Sequence, residues 1–301
     1  MTNNLKTALF SFAYFCVCAG ANAQISGDKT LFATDSLTLI SSQFKFTEGA
    51  STDAKGNVFF TDQPNNQIWK YDTEGKLSLF VPKAGRSNGT YFDHKGNLIT
   101  AADEHNELWT IDKKGTASLL YKNPPGQNLN GPNDLWIDAK GGIYFTDPYY
   151  QRDYWSRKAP DLVGEKVYYL PKGKNELLTV DDKLVRPNGI VGTSDGKTLY
   201  VADAMANKIY QYDIEKDGRL TNRRIFLNRG SDGITLDDSG NLYLTGIDVV
   251  IYSSTGKELA TIKVPEKRTG NICFGGKNKD ILFIAASKSV FKIKMNVKGV
   301  E

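Results

Sequence analysis

Apolar and β-branched residues cluster along this chain in short runs, and six of those runs share one pattern: a Gly or Asp turn followed by a strand-like segment ending in a small or acidic residue. They read G-N-V-F-F-T-D over 56–62, G-N-L-I-T-A-A-D over 96–103, G-G-I-Y-F-T-D over 141–147, G-K-T-L-Y-V-A-D over 196–203, G-N-L-Y-L-T-G over 240–246 and D-I-L-F-I-A-A over 280–286. Their first residues lie 40, 45, 55, 44 and 40 positions apart. That period is the length of a four-stranded propeller blade, and self-similarity at such a period takes precedence over local propensity. In each repeat a first strand, such as 134–137, leads through a D-x-x-G type turn into the run just given. A hairpin completes the unit, as at 67–81, 107–121, 166–180, 208–227 and 249–264. No segment holds a helical period over two turns. The chain is therefore expected to be all-β, a six-bladed β-propeller with four-stranded blades.

The sixth repeat is one strand short, because beyond 280–286 only 290–295 reads as a strand. The segment 36–40, S-L-T-L-I, precedes the first repeat and is expected to close the ring as the missing outermost strand, which removes an exposed sheet edge. The third interval is the longest because 148–164, P-Y-Y-Q-R-D-Y-W-S-R-K-A-P-D-L-V-G, is inserted there. Tyr149, Tyr150, Tyr154 and Trp155 stand in it beside Arg152, Arg157 and Lys158. Two readings fit: a surface loop packed on its own aromatics, or a wall over a binding pocket, since long loops in compact folds are often functional.

One polar residue begins each first strand: Glu48, Asn88, Asn133, Asn188, Asp232 and Asn271. The first five lie eight residues before their Gly, and Asn271 lies nine before Asp280. First strands line the central channel of a propeller, so the six positions should form a ring around its axis. Turn formation would explain an isolated N-G or D-G. It does not explain six polar residues in register, one of them a Glu. Two carboxylates and four amides, with no His or Cys, are hard oxygen donors that suit Ca²⁺, and less well Mg²⁺ or Mn²⁺. Zn²⁺ would lack its preferred nitrogen and sulfur ligands. An ion that keeps positions for water and substrate does not need all six, which leaves Asn88 and Asn271 as substrate contacts. Asp62, Asp103, Asp147 and Asp203 end second strands, where bonding to the following turn is expected. His94 sits in a turn and is expected to be solvated; His105 follows the second strand of blade two and could approach the channel mouth. No Ser/His/Asp motif, phosphate-binding Gly loop or CxxC is present.

Composition narrows the setting. Residues 1–23 combine Lys6, an uncharged apolar run over 8–20 and A-N-A at 21–23, the pattern of a secretory signal cleaved before Gln24. That run is shorter than the ~20 residues needed to span hydrocarbon. The expected product is a single domain over 24–301 in the periplasm or outside the cell. Cys16 and Cys18 would leave with the signal, so Cys273, in an apolar strand, is expected to be a buried small hydrophobe. The formal charge of +4, with both signs interspersed and no basic stripe, argues against nucleic acid as a partner.

Several motifs in order resemble the gluconolactonase and senescence marker protein (regucalcin) group of six-bladed propellers. They are F-T-E-G around Glu48, L-N-G-P-N-D-L-W-I-D with I-Y-F-T-D-P, R-P-N-G-I around Asn188 with D-G-K-T-L-Y-V-A-D, S-D-G-I-T-L-D around Asp232 with G-N-L-Y, and N-I-C-F-G-G around Asn271. The resemblance implies a divalent metal, usually calcium, held by Glu48, Asn188 and Asp232, with Asn133 at the metal or on the substrate and Asp232 also as general base. Animal members carry an Arg two residues before the blade-three Asn, where this chain has Gly131. Tyr149 and Arg152 of the insertion are candidate substitutes for that contact. The expected activity is metal-dependent hydrolysis of a sugar lactone such as gluconolactone by a monomer or weak oligomer, with attack by a metal-bound hydroxide equally compatible with the residues. The related diisopropyl-fluorophosphatase shares the plan and the Glu-Asn-Asn-Asp set, so ester or organophosphate hydrolysis is the alternative reaction. A noncatalytic propeller stapled by calcium is the alternative class.

Overall fold

A computed structural model describes residues 24–124 and 126–300. The signal segment expected at 1–23 lies outside the described residues. Strands Thr47–Thr52, Val58–Asp62, Gln67–Tyr71 and Leu77–Val81 follow one another in an antiparallel meander, the first blade. The same order repeats in five further sheets, whose inner strands are Ser87–Phe92, Leu135–Ile137, Pro187–Gly192, Ile234–Leu236 and Thr269–Gly275. Each inner strand contacts the next, and the sixth contacts the first, so the six sheets close a ring. This is the six-bladed all-β propeller that the repeat period predicts.

The continuous apolar runs have a packing cause. Successive side chains of a strand point to opposite faces, and both faces of a blade are covered by neighbouring blades. Val58 and Phe60 join Cys273, Phe283 and Val290 on one side, while Phe59 joins Leu98 and Ile111 on the other. Cys273 is buried there, as expected. The outermost strands face solvent on one side and carry exposed Leu79, Leu119 and Ile225.

Closure follows the expected route with a shift and an addition. Strand Thr38–Ser41, rather than 36–40, pairs with Ser289–Lys294, Leu39 lying opposite Phe291, and completes blade six. Upstream, Ile25–Gly27 adds a fifth strand to blade five, with Ile25 opposite Ile262. Between the two strands Asp28 accepts a hydrogen bond from Thr30 N at 2.9 Å and caps a short 3-10 turn, Lys29–Leu31. Leu31, Phe32 and Leu37 are buried in the core that blades five and six share. One amino-terminal segment thus ties two blades together.

In blade one the axis leaves no room for a side chain just beyond the ring position. Gly49 has φ +52°, and a Cβ there would lie 1.9 Å from the Asn88 carbonyl oxygen of the next blade. Gly49→Ala should therefore destabilise the fold by about 2–5 kcal/mol, from backbone strain and overpacking together. Urea unfolding midpoints of the two proteins measure it.

Candidate functional site

The polar positions begin, or immediately precede, the inner strands, and neighbouring blades are tied together at that end. Gly89 N donates to Asn133 O at 2.6 Å. Thr61 Oγ1 donates to Asn88 O at 3.1 Å, Thr146 Oγ1 to Asn188 O at 2.7 Å and Thr245 Oγ1 to Gly270 O at 3.0 Å. The Thr of the recurring T-D and T-G endings thus links one blade's second strand to the next blade's ring. Five of the six predicted positions, Glu48, Asn88, Asn133, Asn188 and Asp232, line one cavity of about 170 Å³. Asn271 is not among its lining residues. Its Oδ1 accepts from the backbone N–H of Ile272 at 2.8 Å, a bond within its own strand. Two larger depressions, of about 560 and 600 Å³, open at the other end of the inner strands among the D-x-x-G turns and contain no ring residue.

Polar satisfaction in the cavity is uneven. The side-chain amides of Asn88 and Asn133, 6% and 7% exposed, make no hydrogen bond among the described residues. Their polar atoms are open to the cavity rather than enclosed in packed protein, and so are available to a ligand. Asn188 Nδ2 donates to the Tyr150 hydroxyl at 3.2 Å, and its amide lies near enough to the Asp232 carboxylate to favour the ionised form. Glu48 is 6% exposed, and among the described residues no Lys or Arg pairs with it. Burial pushes its carboxyl well above the usual range, and the nearby Asp232 and Asp134 push it further, against a weaker pull from Arg268. Asp232 is raised by burial too, against the pull of Arg268, whose Nε and Nη2 both reach Oδ2, at 2.8 and 2.7 Å.

Residues 46–288 match the family model described as the SMP-30/Gluconolactonase/LRE-like region. The chain belongs to that family. It is 27% identical to a gluconolactonase of Zymomonas mobilis over 306 residues, covering 90% of this chain and 85% of that one. A gluconolactonase structure from Xanthomonas campestris aligns with a TM-score of 0.83 at 24% identity, covering 92% of this chain and 95% of that one. The calcium-binding regucalcin of Agrobacterium tumefaciens aligns at 0.75 and 18% identity, covering 89% and 95%. Those two likenesses show the shared fold; the family and its named relatives support hydrolase-type activity. Among the described residues, no three His, Cys, Asp or Glu side chains converge on a metal position. A ring of two carboxylates and several amides has the donors of an oxygen site without such a cluster. Among the described residues no helix is long and apolar enough to cross a membrane.

In this SMP-30/gluconolactonase family member the insertion divides between the two predicted readings. Tyr150 and Arg152 line the cavity. Tyr149, a predicted substrate contact, does not: its hydroxyl donates to Gln151 Oε1 at 2.6 Å and its ring lies under the Arg157 guanidinium. Trp155 is buried, fills the space a side chain at Gly131 would take, and donates from Nε1 to Asp103 O at 2.9 Å. Asp103 Oδ2 accepts from Arg152 Nε and the Tyr154 hydroxyl, each at 2.7 Å, and from Gln63 Nε2 at 3.1 Å. Its counterparts act differently. Asp62 and Asp203 accept backbone N–H groups of 45–46 and 185–186, and Asp147 those of 130–131, so they chiefly hold the segment entering their own blade rather than the turn that follows. Asp103 instead anchors the insertion.

His105 is exposed, stacks near Trp109 and lies outside the cavity lining. His94 is exposed in its turn, as expected, and its Nε2 also donates to Asp138 O of the next blade at 2.9 Å. The lining also includes Phe46, Gln63 and Arg268, which sequence reasoning did not select. Phe46 lies two residues before Glu48 and Arg268 three before Asn271, so their place beside the ring was available as a signal.

Proposed function

We propose that this protein is a divalent-metal-dependent lactonase that opens a sugar (aldono) lactone such as gluconolactone to the acid. The observation that carries the reading is Glu48: a buried carboxylate without an ion pair, beside Asp232 and two amides that lack protein partners, all on one small cavity. An isolated buried carboxylate is costly unless a proton or a cation compensates it. The donor set is oxygen-rich and matches a hard cation, Ca²⁺ before Mg²⁺ or Mn²⁺. The calcium-binding character of a regucalcin with this fold supports the same choice. Glu48, Asn188 and Asp232 would hold the ion, with Asn133 at the ion or the substrate, and the bound cation would supply Lewis-acid polarisation of the lactone carbonyl.

The remaining chemistry belongs to the side chains. The Asn88 and Asn133 amides orient the lactone through its oxygens. Asp232 accepts the proton of the attacking water and returns it to the ring oxygen as the ester C–O bond breaks, and burial moves its carboxyl toward the range a general base needs. Arg268 holds Oδ2 of that carboxylate and so fixes its plane. Tyr150, whose hydroxyl burial keeps protonated, donates a hydrogen bond into the cavity. The signal segment expected at 1–23 places this activity in the periplasm or outside the cell.

Metal analysis of the purified protein, paired with a panel of aldonolactones and phosphotriesters before and after chelation, tests the reading. Lactone opening should fall to background on chelation and return with Ca²⁺, with phosphotriesters the poorer substrates. No lactone opened above background in the Ca²⁺-loaded protein would end the proposal; preferred turnover of phosphotriesters would move it to the alternative reaction.

A further inference from the structure

The geometry around Arg152 points to a substrate class. We propose that the lactone opened here carries a second, anionic group, a carboxylate or a phosphate ester, bound by the terminal nitrogens of Arg152. The inference rests on the lactonase reading and adds to it.

Arg152 reaches the cavity from the insertion. Its Nε is committed to Asp103 Oδ2, whereas Nη1 and Nη2 make no hydrogen bond among the described residues. The side chain is 23% exposed and lines both the central cavity and an adjoining depression of about 570 Å³, as does Gln63. Arg152 thus stands at the junction of two spaces. Arg86 lines the outer one, its guanidinium 4.4 Å from the centre of the Tyr154 ring. A lactone ring in the inner space with a substituent directed past Gln63 would bring that substituent to the open end of the Arg152 fork.

Local charge is close to balanced. In the lining of the inner cavity Glu48 and Asp232 are matched by Arg268 and Arg152. A divalent cation held by the carboxylates would add two positive charges, which Asp103, bonded to Arg152, and the buried Asp134 beside Glu48 offset. The case for an anion therefore rests on the open Nη groups of Arg152. Carboxylate and phosphate oxygens suit the paired Nη groups of a guanidinium, which bind two oxygens at once.

The test compares gluconolactone with a glucaric acid lactone and with 6-phosphogluconolactone, using the Ca²⁺-loaded protein. At least one anionic lactone should exceed the neutral one in kcat/KM by about tenfold or more, the scale of hydrogen bonds to charged groups. Arg152→Gln should bring that ratio close to one; which anionic lactone leads distinguishes carboxylate from phosphate. Thermal shifts of the wild-type protein give an assay independent of turnover and of the variant: glucarate or 6-phosphogluconate should raise the melting temperature more than gluconate at equal ionic strength. A ratio at or below one in the wild type, or a ratio that survives Arg152→Gln, overturns the proposal while leaving the lactonase reading intact. If no lactone is opened, the lactonase reading fails, and the loss or survival of the glucarate and 6-phosphogluconate thermal shifts in Arg152→Gln decides whether Arg152 binds an anion.

Discussion

Asp232→Asn is expected to lower kcat/KM for lactone opening by about 10²–10⁴-fold, the range that loss of a positioned general base removes. The substitution is close to isosteric, so the fold should survive it. It removes the basic oxygen and one of the two carboxylates proposed to hold the cation. The Arg268 fork, which donates twice to Oδ2, loses its counter-charge. Calcium affinity should fall as well, and the two effects separate by titration: at saturating Ca²⁺ the affinity defect is overcome and the loss in kcat remains. Glu48→Gln differs, because Glu48 has no proposed proton-transfer role. Its activity should return in large part at high Ca²⁺. Asp232→Asn with near wild-type kcat at saturating Ca²⁺ would remove Asp232 as the base.

The fold was largely legible because a propeller repeats its unit, and errors in one repeat are corrected by the other five. The F-T-D segment of blade one reads as a buried strand only weakly by itself; beside its counterparts it fixes both the period and the ring. Five of the six ring residues line the cavity for the same reason, since equal positions in equal blades lie around one axis. The exceptions follow from side-chain chemistry that periodicity does not carry. Asn271 turns back to its own strand's N–H. Arg268 and Phe46 lie in segments leading into inner strands, outside the part of the repeat that is similar from blade to blade.

The insertion was the least legible part because it has no counterpart in the other blades. Its composition allowed a wall or a self-packed loop, and the structure contains both, decided residue by residue. Trp155 turns inward because Gly131 leaves it space, whereas Arg152 reaches the cavity because Asp103 takes its Nε. The local sequence does not mark Asp103 for that role: Asp203 ends the same A-D pair yet accepts backbone N–H groups of its own blade. What distinguishes Asp103 is the presence of Arg152 and Tyr154 some fifty residues away in sequence.

Deleting residues 30–42 should abolish cooperative unfolding altogether. The deletion removes the outermost strand of blade six and the buried side chains of Leu31, Phe32 and Leu37. Each such side chain contributes about 1.5–3 kcal/mol when buried, so the three together approach the 5–15 kcal/mol net stability typical of a domain. It also leaves Ser289–Lys294 as an unpaired edge, a template for association. The site should go with the fold, because blade six supplies Gly270, whose missing Cβ leaves room for the Glu48 carboxylate, and follows directly from Arg268. Leu37→Ala provides the graded comparison: a loss of about 2–5 kcal/mol, read by urea unfolding, with the Ca²⁺-induced thermal shift retained. A truncated protein with an unchanged melting transition and an unchanged Ca²⁺ shift would mean that four-stranded pairing in blade six is unnecessary, and that the ring is held closed by its inner strands alone.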